Sequence, residues 1–160
     1  MKLFFTALIV AAIALPALAA DPKATIADLD ARLSKIGAAR IDGTDSVAGK
    51  TVPALYFGER KINNNFDVVD AIRKAHTATA TVFVKDGDEF VRVSTNVLTP
   101  EGKRGVGTQL ARNKAYEALS KGQSFCGEID VLGTLFDACY NPLKDAAGKV
   151  VGVSYIGHKK

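Results

Sequence analysis

A predicted strand that carries an arginine and runs into a basic, glycine-containing loop is the part of this sequence best suited to bind a ligand. Arg92 stands in the middle of the strand, at residues 90–97, and Arg104 follows in the loop. A guanidinium can hold a carboxylate through two parallel hydrogen bonds, which suits it to small organic anions. These two arginines therefore predict an anion-binding site.

Alternation along the strand predicts the neighbours of Arg92, because successive side chains of a strand point to opposite faces. One face is expected to carry Phe90, Arg92, Ser94 and Asn96. The other face is expected to carry Val91, Val93, Thr95 and Val97. Ser94 would then add a hydrogen-bonding group beside the cation. The alternative is a solvated sheet face on which Arg92 stacks against Phe90.

The segment after the strand supplies the other candidates. Gly105 and Gly107 allow the backbone to approach an anion and to turn N–H groups toward it. Arg104 and Thr108 are predicted to bind the ligand, with capping of the next segment as the alternative for Thr108. Tyr116 would either close the pocket or pack with its hydroxyl in water. The glycine spacing differs from that of a nucleotide-binding loop.

The elements that must position these groups predict an α+β fold. Two helices come first, at residues 24–37 and at residues 65–76, and the second has Asn65 as its cap. The first helix has an apolar stripe made up of Ile26, Leu29, Leu33 and Ile36. Residues 42–65 are turn-rich and are expected to be loop with short extended pieces. Five β segments follow, with a short helix between the second and third, which predicts an antiparallel sheet with its helices on one side.

Two cysteines, Cys126 and Cys139, fall on neighbouring predicted strands. A hairpin about Leu132 and Gly133 would place them opposite each other, at a separation that a disulfide can bridge. Two separate buried thiols are the alternative. His76 and His158 do not stand at ligand spacing from either cysteine, so no metal or other cofactor is expected.

The N-terminus has the pattern of an export signal. Lys2 precedes an apolar run that ends in the small residues Ala17-Leu18-Ala19. Residues 1–20 are therefore predicted to be a cleaved signal peptide, and 21–160 one domain in the periplasm. A retained membrane anchor is the alternative. The net charge of +4 comes from scattered residues and the chain has no Trp, which argues against nucleic acid as a partner.

Several stretches together resemble the single Cache domain of the Cache_3–Cache_2 fusion type, the sensor domain of bacterial chemotaxis proteins and sensor kinases. They include "ATVFVKDGDEFVRVSTNV", "GKRGVGTQL" and "AYEALSKGQSFCGEIDVLGTLFDACYNPLKDAAGKVVGVSYIG", and the resemblance spans residues 49–157. It implies a PAS-like fold with a five-stranded antiparallel sheet, N-terminal helices packed on it and a small-molecule pocket on one face.

The resemblance also implies a function. We expect a stand-alone exported domain, not an enzyme, that binds a small organic anion such as a carboxylate. It would present this ligand to a membrane-bound chemoreceptor, sensor kinase or transporter. The alternative is a structural or interaction module without a ligand, acting through a protein partner or through a homodimer formed by the first helix.

Overall fold

The computed structural model describes residues 19–160, so the predicted signal peptide lies almost entirely outside the described part of the chain. The elements follow one another in this order: α1 (Pro22–Ile36), β1 (Ala39–Val47), β2 (Lys50–Phe57), β3 (Arg60–Lys61), α2 (Asp67–His76), β4 (Thr79–Asp86), β5 (Glu89–Thr95), α3 (Lys114–Ser120), β6 (Phe125–Val131), β7 (Thr134–Lys144) and β8 (Val150–Lys159).

The main sheet has five antiparallel strands in the order β5-β4-β8-β7-β6. This confirms the predicted α+β, PAS-like class. Helices α1 and α2 cover one face of the sheet, which we call the helix face. Helix α3 and the loop that precedes it cover the other face, which we call the loop face, so the expectation of helices on one side only is wrong for α3.

Helix α1 contributes its apolar stripe to the core of the helix face. Ile26, Leu29 and Leu33 are buried, and Ile36 packs against them at the end of the helix. Asp21 caps the helix by accepting a hydrogen bond from the N–H of Lys23. The stripe therefore stabilises the fold instead of presenting an apolar surface for a dimer.

The segment predicted as turn-rich loop is in fact a small sheet in the order β1-β2-β3. Strands β1 and β2 form a hairpin whose two turn residues are Ala48, with φ of 50°, and Gly49, with φ of 78°. Such turns favour Asn-Gly, Asp-Gly or Gly-Gly, and an alanine in the left-handed region is uncommon. The hairpin signal was therefore weak in the sequence.

The β6–β7 hairpin has the predicted register. Leu132 and Gly133 form its turn, with φ of 51° and 88°. Cys126 pairs with Cys139, and the two form a disulfide with a Cα–Cα distance of 4.1 Å. The alternative of two separate thiols is wrong, and the bridge ties the edge strand β6 to the body of the sheet.

Candidate anion-binding site

The site is centred on Arg92, which β5 places on the loop face of the sheet. The residue is 3% exposed, so the alternative of a solvated face is wrong. Its Nη1 donates one hydrogen bond to Thr108 Oγ1 and another to the carbonyl of Gln109, both at 3.0 Å. The loop before α3 therefore encloses the guanidinium and supplies its hydrogen-bond acceptors.

The charge of Arg92 has no counter-ion within the described part of the chain. No carboxylate among residues 19–160 forms an ion pair with it, and its Nε is buried without a hydrogen-bond partner. Burial lowers the pKa of this guanidinium below its ordinary value. A buried cation that faces only neutral acceptors is energetically costly, and an anion would relieve that cost.

Aromatic rings form the walls around the guanidinium. The Cζ of Arg92 lies 4.9 Å from the ring centre of Phe83, its partner on β4, which is a cation–π arrangement. The sequence had suggested Phe90 as the ring on which Arg92 would stack, but Arg92 stacks on Phe83 instead. The rings of Tyr140 and Tyr155 lie next to each other with centres 4.8 Å apart, and burial raises the pKa of both phenols.

The hydroxyl of Tyr155 reaches the first residue of β4, Thr79. The Tyr155 hydroxyl lies 3.0 Å from Thr79 Oγ1, and the Thr79 hydroxyl donates to the carbonyl of Gly157. The ring leans over Gly157 so closely that a Cβ there would collide with the Tyr155 hydroxyl. The glycine leaves the space in which the tyrosine lies.

Ser94 does not lie beside Arg92, and the predicted alternation fails at this point. A β-bulge interrupts the pairing, since Phe83 pairs with Arg92 but the preceding Val82 pairs with Ser94. One extra residue reverses the face of every side chain that follows. Ser94 consequently points to the helix face and donates to the carbonyl of Asn65.

Asn96 moves with Ser94 to the helix face. Its side-chain oxygen accepts from the N–H of Ala80, and its amide donates to the carbonyl of Val69 in α2. Thr95 takes the place on the loop face and bonds Thr81 at 2.6 Å. The bulge therefore moves the predicted site residue Ser94, together with Asn96, away from the face of Arg92 and puts Thr95 there instead.

Arg104 lies away from Arg92 and already has a carboxylate partner. Its Nη1 and Nη2 donate to the two oxygens of Asp70 in α2, at 2.7 and 2.8 Å. Its guanidinium also lies over the ring of Phe66, 4.5 Å from the centre. The Asp70 carboxylate raises the pKa of Arg104. This arginine fastens the loop to α2.

The glycines of the loop do not offer their N–H groups to an anion. Gly105 donates to the carbonyl of Val97, and Gly107 donates to the carbonyl of Arg92. The loop thus pairs with β5 like a further irregular strand. Gly107 has φ of 82°, and a Cβ there would meet the Cβ of Ala48, so only glycine fits this contact.

The other two predicted site residues, Thr108 and Tyr116, lie on the loop side of the sheet near β5. The Thr108 hydroxyl accepts a hydrogen bond from Arg92 and donates one to the carbonyl of Gly105. The second bond closes a turn three residues back in the loop. Tyr116 of α3 packs edge-on against Phe90 with ring centres 6.0 Å apart, and its hydroxyl donates to the carbonyl of Asp88. Tyr116 therefore belongs to the outer wall.

Sequence reasoning missed Phe83, Tyr155 and the Gln109 carbonyl. Phe83 and Tyr155 lie in apolar strands, and that pattern predicts ordinary core residues. Pairing of β4 with both β5 and β8 brings them to the same face as Arg92. Only that long-range pairing distinguishes them from other buried aromatic residues.

Other kinds of site find no support in the described residues. Within residues 19–160, no group of three or more His, Cys, Asp or Glu side chains is arranged to hold a metal ion. In the same range, no helix is both long and apolar enough to cross a membrane. His158 lies in β8, with its Nε2 at 2.9 Å from Thr25 Oγ1.

Comparison with known protein families identifies the family of this chain. The family model described as the Cache 3/Cache 2 fusion domain matches residues 25–160, which confirms the resemblance seen in the sequence. The crystal structure of the E. coli DcuS sensor domain is similar at 19% identity, covering 57% of this chain and 63% of that structure, with a TM-score of 0.42. No curated protein matches the chain.

Proposed function

The chain belongs to the Cache 3/Cache 2 fusion domain family, and from that premise we propose that it is an exported sensor-type domain that binds a small organic anion of the carboxylate class. Cache domains are sensor modules, not enzymes. Arg92 would hold the anion, Thr108 and the Gln109 carbonyl would orient the guanidinium, and the rings of Phe83, Tyr140 and Tyr155 would form the walls. The bound domain would present its ligand to a membrane-bound chemoreceptor, sensor kinase or transporter.

The burial of Arg92 without a counter-ion carries this proposal. Arg104, by contrast, is neutralised by Asp70, so its side chain has no comparable need of a ligand. Even a paired buried charge often contributes no net stability compared with apolar groups of similar size. An unpaired arginine at such a position is therefore explained by binding better than by stability.

The disulfide supports export. Structural disulfides persist in oxidising compartments such as the bacterial periplasm and are rare in the cytosol. The predicted signal peptide points to the same place. Fractionation of cells that express the full chain should recover the protein in the periplasmic fraction with its N-terminus near Asp21, and recovery of the uncleaved chain in the cytosol would contradict the location.

The binding test is calorimetric titration of the full chain with acetate, propionate and succinate, and with the corresponding uncharged amides. Carboxylates should bind and amides should not. Arg92→Gln should weaken carboxylate binding roughly tenfold to a hundredfold, since a hydrogen-bonded ionic contact is worth about 1.5–3 kcal/mol. Arg112→Gln is the matched control, because Arg112 is exposed and pairs with Glu89.

A stability measurement separates a binding role from a structural one. The ligand-free Arg92→Met variant should be as stable as the parent chain or more stable, because it removes a desolvated charge and keeps the volume. Marked destabilisation without any carboxylate binding in the parent chain would favour the structural module. That module would have to associate through a surface other than the α1 stripe, and sedimentation at rising protein concentration would reveal it.

A further inference from the structure

A second groove lies at one end of the main sheet, between the loop that follows β5, the last turn of α2 and the β6–β7 hairpin. It encloses about 230 Å³. Its lining consists of Arg73, Thr79, Asn96, Val97, Leu98, Val131, Thr134, Phe136 and Lys159. None of these residues hydrogen-bonds to the Arg92 side chain or stacks on it.

The sheet register separates the groove from Arg92. Phe83, which pairs with Arg92, lies four residues after Thr79 on β4. At about 3.3 Å per residue, the two positions are about 13 Å apart along the strand. At the groove end of this distance, Thr79 is hydrogen-bonded to the hydroxyl of Tyr155. A small ligand in the groove therefore lies outside contact with Arg92.

The charged side chains that line the groove are all positive. Arg73 comes from the last turn of α2 and Lys159 from the end of β8, and both are exposed. Neither forms an ion pair with an acidic residue of the described chain, and no acidic side chain lines the groove. Two cations from separate elements, facing one depression, attract an anion.

The floor of the groove is apolar. Val97, Val131 and Phe136 are buried members of the loop-face core, and the exposed side chain of Leu98 forms part of the rim. The volume corresponds to about seven or eight water-sized groups at about 30 Å³ each. A ligand that matches both features has one negative group and a short hydrocarbon chain.

We propose that this groove is a second binding site, for a small amphipathic carboxylate whose charge lies between Arg73 and Lys159 and whose chain lies on Val97, Val131 and Phe136. Hexanoate has the right size and serves as the probe. The site is independent of the proposed function at Arg92, because the two share no side chain.

The experiment is a titration of the ¹⁵N-labelled full chain with hexanoate, followed by amide chemical shifts. The amides of Thr79 and Lys159 should shift in a saturable manner, while that of Arg92 should not. Butyrate should bind roughly fifteen times more weakly, at about fourfold for each of two methylenes. Hexan-1-ol, which lacks the charge, should also bind more weakly. Absence of saturable shifts, or equal binding of the alcohol, overturns the proposal.

Charge variants localise the binding. Arg73→Gln combined with Lys159→Gln should weaken hexanoate binding about twofold to thirtyfold, which is what two exposed ionic contacts contribute. The control pair Lys35→Gln and Lys144→Gln makes the same change in net charge at exposed positions outside the groove and should have no effect. If Arg92→Gln instead abolishes hexanoate binding, the ligand occupies the candidate anion-binding site at Arg92, and the second site is refuted.

Discussion

Arg104 and Asp70 form a bidentate ion pair, with hydrogen bonds of 2.7 and 2.8 Å between the loop before α3 and the first turns of α2. The partner of Arg104 is thus part of the protein. Arg104 is one of the two arginines that the sequence suggested for ligand binding. Its ion pair with Asp70 instead fastens the loop to α2.

The first prediction concerns that pair. Arg104→Gln should lower the free energy of unfolding by about 0.2–1 kcal/mol, toward the upper end, because the pair is bidentate but more than a third exposed. Carboxylate affinity should stay unchanged. Urea denaturation of Arg104→Gln, Asp70→Asn and the double variant measures the coupling, and a loss of carboxylate binding in Arg104→Gln would return this residue to the binding site.

The second prediction concerns the disulfide. Its two cysteines are 13 residues apart in the chain, and closing a loop of this size restricts the unfolded state by about 3 kcal/mol. The double variant Cys126→Ala and Cys139→Ala should lose about that much stability in urea. Reduction of the parent chain leaves the side-chain volumes in place and should give a similar loss. Equal stability of the oxidised and reduced chains would contradict a structural role.

The third prediction concerns Asp30, which joins α1 to the sheet. It accepts hydrogen bonds from Ser154 at 2.6 Å and from Asn141 at 2.7 Å. Asp30→Ala should cost about 1–3 kcal/mol, because it leaves the buried Ser154 hydroxyl without an acceptor. Asp30→Asn keeps one acceptor oxygen and should cost less, and equal losses in the two variants would show that the hydrogen bonds contribute little.

The fourth prediction is a pH dependence from His158. Burial, and then the charge of His76, lower the pKa of His158 below its ordinary value of 6.5. The imidazole of His158 therefore binds its titrating proton more weakly in the folded chain than in the unfolded chain. The contribution of His158 to stability is therefore complete above pH 6.5 and falls as the pH drops below that value.

Urea denaturation at about pH 7.5 and about pH 5.5, on either side of the ordinary histidine range, measures this effect. The fall in stability should be smaller in His158→Gln, which removes the titrating group. His76→Gln should also reduce it, because one of the two causes is lost. An unchanged fall in His158→Gln would assign the pH dependence to other groups.

Local signals in the sequence were sufficient for much of the fold. The helical stripe of α1 and the Leu132–Gly133 turn each depend on residues close together in the chain. The turn alone sets the register that brings Cys126 opposite Cys139. The same local reasoning failed at Ala48, whose left-handed conformation is forced by the hairpin and leaves no trace in its residue type.

The candidate site was harder to predict because it depends on distant parts of the chain. The bulge between Arg92 and Ser94 changes which side chains share a face, and no glycine or proline marks it. Arg92 is buried because the loop residues Thr108 and Gln109 fold over it. Its residue type predicted the chemistry, while its burial and the stacking on Phe83 required the tertiary structure.

The contact between Tyr155 and Gly157 makes these positions an epistatic pair. A β-carbon at position 157 needs the space of the Tyr155 hydroxyl, so residues larger than glycine are compatible there only with a smaller side chain at position 155. Family members are therefore expected to change both positions together. Those with a smaller side chain at position 155 and a larger one at position 157 would lack the hydroxyl that bonds Thr79.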